Sequence, residues 1–363
     1  MAKKKVIIIL IVAVIIVGGY FLAHNPGTDR GKPYTIGVIL PLSGDLASLG
    51  EAAKKSAELA ERDLPGGMRE QLSVIFEDDR FDPKTTISAF NKLVGTNKAD
   101  AIICFGSGPC SAVAPLADKQ SIPLIAIASA LVQKDKDFVV RLELNTVEEA
   151  KRLLIYIEER NYQRIASIIA VQEGIQSSYT ALADDTDFTT REIASESVAP
   201  DLKDFRTPIA KILATKPDVI LVGLLPGRAG EFGKQVRTLG YTGDLVGFNF
   251  IEGEETLVAA QGNLDGIVYT QVADPQNWFA EQYETAYHQS IGPGSAHIYD
   301  AITLIARAVA QSKYEPDEII SFLTSVKNFS GALGTYSSTD THEFTLPIIL
   351  KTIQNGQFTR LTL

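Results

Sequence analysis

Residues 101–130 read AIICFGSGPCSAVAPLADKQSIPLIAIASA. Ala101–Phe105 is a short apolar run of the kind that forms a strand buried on both faces. Ser111–Gln120 has helical spacing, and Pro123–Ala128 returns to a buried strand. A strand, a helix and a second strand in so short a stretch make a βαβ unit, with parallel strands and a right-handed crossover. The same alternation spreads outward. Upstream come a strand at Thr35–Leu40, a helix at Leu49–Asp63, a strand at Leu72–Phe76 and a helix at Lys84–Gly95. Downstream, strands at Arg164–Val171, Asp218–Gly223 and Asp244–Phe248 interleave with helices at Thr146–Arg160, Asp204–Thr215 and Gly227–Leu239. The fold class is therefore α/β, built on parallel sheets covered on both faces. The alternation pauses at 137–145 and at 266–274, where extended polar stretches suit crossings between two lobes. Helices return at Trp278–His288, His297–Ser312 and Asp317–Ser325. Two strands, Phe344–Thr352 and Phe358–Leu361, close the chain around Asn355-Gly356, a strong hairpin signal.

With 363 residues the chain exceeds what one core usually serves, which independently favours two lobes. Its net charge of -10 argues against a nucleic-acid partner, since such binding rests on clustered Lys and Arg. At the N-terminus, Lys3, Lys4 and Lys5 precede an uncharged run from Val6 to Leu22. Basic residues before an apolar segment keep the start cytoplasmic and send the rest across the membrane. We read 1–5 as a cytoplasmic basic start, 6–23 as a membrane anchor or uncleaved signal, and 24–33 as a linker. The bulk is expected to be extracytoplasmic, in the periplasm or on the outer face of the cell membrane. Cys104 and Cys110 are the only cysteines. An exported protein permits a bridge between them, while a strand–loop placement can hold them too far apart, so the pairing stays open.

Catalytic signatures are missing from the pattern. His24, His288, His297 and His342 are scattered without metal or nucleophile–base spacing and read as surface residues. Gly230-Glu-Phe-Gly-Lys234 departs from a phosphate loop at Arg228 and Gln235 and reads as helix. Glu77-Asp78-Asp79 with Asp82 lacks calcium-loop spacing and reads as solvated carboxylates at a strand end. No cofactor, metal or catalytic residue is expected. Two loops are candidates for binding. Phe105-Gly-Ser107-Gly-Pro-Cys110-Ser111 follows a buried strand, where glycines admit close approach and a helix start offers free N–H groups. Ala126-Ile-Ala128-Ser129-Ala130 replaces bulk with small side chains where the next strand ends. Turn geometry and helix packing explain such small residues equally well.

The order of segments resembles the periplasmic binding proteins of leucine/isoleucine/valine type, the solute receptors of ABC importers. The likeness is carried by Ile36-Gly-Val-Ile-Leu-Pro-Leu-Ser-Gly44 with Leu49-Gly50, by Asp79 with Asp82-Pro83, and by Cys110-Ser111 leading to Ala114-Pro-Leu-Ala-Asp118. Ile122-Pro-Leu-Ile125, Lys203–Ile212 with Pro217–Gly223, Ala229-Gly230 to Leu239-Gly240, Phe279–Tyr287, Tyr299-Asp-Ala301 and Phe329–Gly334 continue it in the same order. The resemblance implies two Rossmann-like lobes joined by three crossing strands, with lobe 1 at 34–143 and 272–340 and lobe 2 at 144–271 and 341–363.

It also implies a ligand held in the cleft by small hydroxyl residues and backbone N–H groups, here Cys110, Ser111, Ala128, Ser129 and Ala130, beside Ser107 of the glycine loop. Where family members place clasping aromatics this chain has Leu49, Ile175 and Leu224, and where an acid meets the ligand's ammonium it has Asn249. A buried ammonium without a counter-charge is costly. The expected ligand is therefore a small, rather apolar solute with an amino acid-like, carboxylate or amide head, unless Glu252, Glu254 or Glu255 supplies the charge. The expected partners are that small molecule, ABC permease subunits, and the membrane through the N-terminal segment. A membrane-anchored sensing receptor is the alternative, and an enzyme on the same fold a further one.

Overall fold

The computed structural model describes residues 32–312 and 314–362. The basic start, the expected anchor at 6–23 and residues 24–31 of the linker lie outside them. Among the described residues no helix is long and apolar enough to cross a membrane.

The first lobe begins with β1 (Tyr34–Leu40), α1 (Ala47–Asp63), α2 (Gly66–Arg69), β2 (Leu72–Asp78), α3 (Pro83–Gly95), β3 (Ala101–Phe105), α4 (Ser107–Lys119), β4 (Leu124–Ile127) and β5 (Val139–Arg141). These strands form one parallel sheet in the order β2-β1-β3-β4-β5. The second lobe runs through α5 (Thr146–Glu159), β6 (Ile165–Ala170), α6 (Glu173–Ala183), α7 (Thr186–Arg191), β7 (Glu192–Val198), α8 (Arg206–Ala214), β8 (Val219–Gly223), α9 (Arg228–Thr238), β9 (Asp244–Gly247), a 3-10 turn (Asn249–Ile251), α10 (Glu254–Ala260) and β10 (Val268–Val272). The chain then returns to the first lobe with α11 (Asn277–Tyr287), α12 (Ser295–Gln311), α13 (Pro316–Ser325) and the short pair β11 (Phe329–Gly331) and β12 (Gly334–Tyr336). It ends in the second lobe with β13 (Ile348–Gln354) and β14 (Gln357–Arg360), which extend that sheet to β14-β13-β10-β9-β8-β6-β7. Within it β13 alone runs against the other strands, pairing antiparallel with both β10 and β14.

Near-continuous apolar strands such as Ile165–Ala170 and Val219–Gly223 are what a sheet covered on both faces requires. Two lobes thus carry separate apolar cores. Leu144 packs in the first core and Ala150 in the second; Val272 is in the first and Tyr269 in the second. At the third passage Phe344 and Leu346 still pack in the first core and Leu350 in the second, so the passage falls beyond the 340/341 partition read from sequence. This is also why the strand expected from Phe344 begins at Ile348.

Two local expectations, the start of a helix and the acidic cluster, are corrected, and the cysteine pairing left open is settled. The helix expected from Ser111 starts at Ser107, because Gly106 adopts φ 95° and turns the strand end straight into the helix, with Pro109 inside the first turn where no N–H is needed. Cys104 and Cys110 are both free and buried, and burial pushes both thiols up. The acidic cluster is not a solvated strand end. Asp79 is fully buried, Asp78 Oδ1 accepts from the Leu42, Ser43 and Arg80 N–H groups, and Asp82 caps α3 through the Thr85 N–H at 2.8 Å.

Arg141, at the end of β5, is the largest fully buried side chain among the described residues. Its guanidinium donates to the carbonyls of Ser129 (3.3 Å) and Leu144 (2.8 Å) and pairs with Glu343 on the third passage. Backbone bonds fasten the same two segments: Arg141 N–H to His342 O (2.9 Å) and Phe344 N–H to Arg141 O (3.1 Å). Replacing Arg141 with Met strands a carboxylate and two carbonyls, and the expected loss is about 3–5 kcal/mol of unfolding free energy, read by urea denaturation. A loss under about 1 kcal/mol would show that the pair does not tie the passages.

Asp300 on α12 accepts from Ala332 N–H (2.6 Å), Leu333 N–H (3.0 Å) and the Tyr336 hydroxyl (2.9 Å), binding the β11–β12 turn to the helix. Burial outweighs those donors and raises its carboxyl to about 6. Between about pH 4 and 6 the folded chain therefore holds a proton that the unfolded chain has released, so this contribution to stability is full at low pH and is lost as pH rises. The expected size is about 3 kcal/mol. Comparing denaturation at pH 4 and pH 7 in the intact chain and in Asp300→Asn should show the stability falling between them by about 3 kcal/mol more in the former than in the latter.

Candidate functional site

The carboxyl ends of both sheets face one another across a cavity, the place where open α/β sheets receive ligands. From the first lobe, Leu46 and Leu49 enter it at the start of α1, Phe81 after β2, Phe105 to Ser107 after β3, Ile127 to Ser129 after β4, and Glu143 after β5. From the second come Gln172 after β6, Leu225 and Pro226 after β8, Asn249, Phe250 and Glu252 after β9, and Gln271 at the end of β10. Pro293, Gly294 and His297, around the start of α12, complete the wall. The space between these walls is about 90 Å³.

The acidic cluster after β2 serves this wall. Arg80 and Phe81 both take positive φ, 54° and 60°, at a cost on the order of 1 kcal/mol or more each for a residue with a side chain. Asp78 and Asp79 hold them there by accepting from the Arg80 N–H (3.0 Å) and the Phe81 N–H (2.9 Å). The Phe81 ring then lies over Gly106, where a Cβ would stand 2.2 Å from it.

Of the residues expected from sequence, Leu49, Ser107, Ala128, Ser129 and Asn249 border the cavity. Ala130 stands behind it, its N–H donating to Ser107 Oγ at 3.2 Å. Ser111 lies at the rim and donates to Glu173 Oε1 in the other lobe at 2.5 Å. Cys110, Ile175 and Leu224 do not line the cavity; all three are buried in the lobe cores. The reasons are geometric. The first turn of α6 aims Ile175 at β8, beside Gly223, while Gln172 caps that helix from the cleft side. Consecutive residues of an extended chain point to opposite sides, so Leu225 and not Leu224 faces the cleft.

Sequence reasoning missed the aromatic and charged wall. Phe81, Phe105 and Phe250 border the cavity from positions outside the expected clasp, and Glu143, Glu252 and His297 bring ionisable groups. His297, read as a surface residue, is 7% exposed, because the first turn of α12 lies under the cleft. Its Nε2 stands 3.5 Å from Glu143 Oε1. Burial pushes the Glu143 carboxyl up, but the His297 charge, the Leu144 N–H (2.8 Å) and Arg141 together hold it below its usual range. Glu252 accepts from the Tyr269 hydroxyl at 2.6 Å and pairs with Lys351 at 2.7 Å. Burial pulls the Lys351 ammonium down, and Glu252 and Asp274 more than reverse that. Behind the wall Glu149 is fully buried and steadies the second lobe's loop by accepting from the Asn249 N–H (3.1 Å), Thr270 Oγ1 and Ser178 Oγ (each 2.6 Å). Burial raises its carboxyl in spite of those donors.

Further contacts cross the cleft at its rim. Arg228 pairs with Asp45 at 2.6 Å, and Ser48 Oγ donates to Glu255. Gly174 lies so close to the first lobe that a Cβ there would stand 2.6 Å from Ser107 Oγ; within its own lobe it would stand 3.0 Å from the Phe250 ring.

Two α/β lobes joined by three passages, with a cavity between the carboxyl ends of their sheets, define a two-lobed receptor for a small molecule. The comparisons agree: a family model described as "Periplasmic binding protein" matches residues 33–357, and the chain belongs to that family. It is a solute-binding protein. The Leu/Ile/Val-binding protein homolog 3 of Brucella melitensis is 23% identical over 329 residues, which are 86% of this chain and 89% of that one. The branched-chain amino acid transporter substrate-binding protein of Streptococcus pneumoniae, solved with isoleucine, superposes with a TM-score of 0.83 at 23% identity, over 90% of this chain and 98% of the other. An ABC transporter solute-binding protein of Rhodopseudomonas palustris, solved with benzoate, gives 0.79 at 21% identity, over 91% and 95%.

Gly174→Val should prop the lobes apart by driving a side chain into Ser107 of the first lobe. The expected readout is a larger radius of gyration by small-angle X-ray scattering, with the unfolding free energy changed by less than about 1 kcal/mol, because neither lobe core is touched. An unchanged scattering curve with the chain folded would sink this account of the contact.

Proposed function

We propose that this chain is the extracytoplasmic receptor of an ABC importer, anchored by residues 6–23, and that it holds one small solute in the cavity while the lobes close over it. The observation that carries this is the composition of the cavity wall, drawn from both lobes. Binding there ties the lobes together, so a ligand favours the closed conformer by its contacts to the second wall. The rim contacts support the same reading. Asp45 is 80% exposed, and ion pairs of that kind contribute about 0.2–1 kcal/mol. Such latches hold closure weakly without a ligand, which suits a receptor that must release its cargo to permease subunits.

The cavity's size and aromatic lining favour a compact, largely apolar solute with an amino acid-like, carboxylate or amide head. Ser107, whose Oγ uses an acceptor position on the Ala130 N–H, keeps its own O–H free to donate to that head. The free start of α4 adds backbone N–H groups beside it. Glu252 borders the cavity, so the acid that the sequence left in question is present, though engaged by Lys351. The isoleucine and benzoate bound by the structural neighbours share a carboxylate and an apolar body, which is compatible with this wall.

Native mass spectrometry of the purified full-length chain should reveal a co-purified small molecule recovered intact. Phe250→Asp, which puts a charge in the apolar wall, should weaken its binding at least tenfold, or about 1.4 kcal/mol. Conversion of the molecule during incubation, or equal affinity in the variant, would overturn the reading.

A further inference from the structure

Resting on the cleft as the solute site, we infer that Lys351, which does not itself border the cavity, sets how strongly the cavity attracts an ammonium group on its solute, acting through Glu252. Glu252 is the acid that the second lobe brings to the wall. Both of its partners sit on one oxygen: the Tyr269 hydroxyl donates to Oε1 at 2.6 Å, and Lys351 Nζ stands 2.7 Å from the same atom. Oε2 accepts no hydrogen bond among the described residues and is not closed off by its neighbours. The wall thus carries a carboxylate with one oxygen held and one open. Such an oxygen accepts from an N–H or O–H, and most strongly from a charged donor.

How well that oxygen holds a cation depends on the charge behind it. Lys351 is buried, and its ammonium is shared: Asp274 Oδ1, just past β10, lies 2.9 Å from Nζ. Burial pulls the Lys351 ammonium down and the two acids outweigh that, so it stays charged. Two carboxylates on one ammonium leave a negative charge in excess, and the division of Lys351 between them settles how much of it remains at Glu252. Asp274 also gives Lys351 a second partner. A solute's ammonium can take Glu252 Oε2 while Lys351 leans on Asp274, and neither cation is then left buried without an acid. Glu143, the acid that the first lobe brings to the cavity, is the other address for an ammonium. Its Oε1 accepts from the Leu144 N–H at 2.8 Å and stands 3.5 Å from His297 Nε2, with no contact to Lys351. Changes at Lys351 and Asp274 therefore act on one acid and not on the other.

The test is calorimetric titration of the purified full-length chain with L-leucine and 4-methylpentanoate, which share a skeleton and a carboxylate and differ by the α-ammonium alone. The Ser107 hydroxyl and the free N–H groups at the start of α4 can serve the carboxylate of both. The readout is the ratio of the two affinities, because a merely structural disturbance weakens both molecules alike. Lys351→Met removes the competing cation and should raise the ratio in favour of leucine by about tenfold or more. Asp274→Asn leaves Lys351 to Glu252 alone and should lower it by about threefold. A thermal midpoint identifies a variant that has not folded, and the other then carries the comparison. Any other pattern in folded variants overturns the inference: a ratio unmoved or moved the opposite way, a ratio moved by Glu143→Gln alone, or no binding of either molecule to Lys351→Met. The receptor reading falls separately, by the absence of any small molecule co-purified with the native chain.

Discussion

The buried guanidinium of Arg141 is the contact on which the arrangement of lobes and cavity depends. It sits where the first passage leaves β5, and it holds at once the carbonyl of Ser129 in the cavity wall, the carbonyl of Leu144 in the passage, and Glu343 in the third passage. A charge with no solvent exposure is tolerated only with such partners, and Asn145 and Thr341 add hydrogen bonds to the same carboxylate. The consequence is mechanical. The Ser129 loop cannot shift without disturbing the strands by which the lobes are joined, so the cavity wall and the passages form one hydrogen-bonded unit.

Around that unit the cavity is assembled from strained and weak parts whose roles differ. The left-handed Arg80 and Phe81 are held by Asp78 and Asp79, and this strain places an aromatic ring over the glycine that starts α4. The rim contacts are exposed and contribute little. Rigid walls thus meet across weak latches. The chemistry inside is set by pairs: Glu143 with His297, and Glu252 with Lys351.

Much of the architecture was legible because buried parallel strands are apolar throughout. Ala101–Phe105, Ile165–Ala170 and Val219–Gly223 stand out against the amphipathic helices between them. What escaped has a physical cause each time. The strand Glu192–Val198 lies at a sheet edge and carries Glu and Ser on its open face, so it lacks the apolar signal of a central strand. The start of α4 was placed four residues late because Gly106 and Pro109 read as loop, although one is the hinge into the helix and the other suits its first turn. Small residues marked Ser107, Ala128 and Ser129 as wall, since room beside a strand end is a local property. Ile175 and Leu224 were displaced from the wall by a neighbour each, because which side of a loop faces a cleft depends on the opposing lobe.

The sequence by itself determined the α/β alternation, the two-lobed plan, the apolar N-terminal run and the two small-residue loops at strand ends. Each of these follows from hydrophobic periodicity and backbone preference within a few residues. Only the tertiary structure decided the ionisable wall. Glu143, Glu252 and His297 are far apart in the chain, and three passages between two sheets bring them to one cavity, with Lys351 paired to Glu252. No local pattern marks a histidine at the start of a helix as the partner of a glutamate more than a hundred residues earlier. The fold does so because the carboxyl ends of parallel strands must converge where the lobes meet.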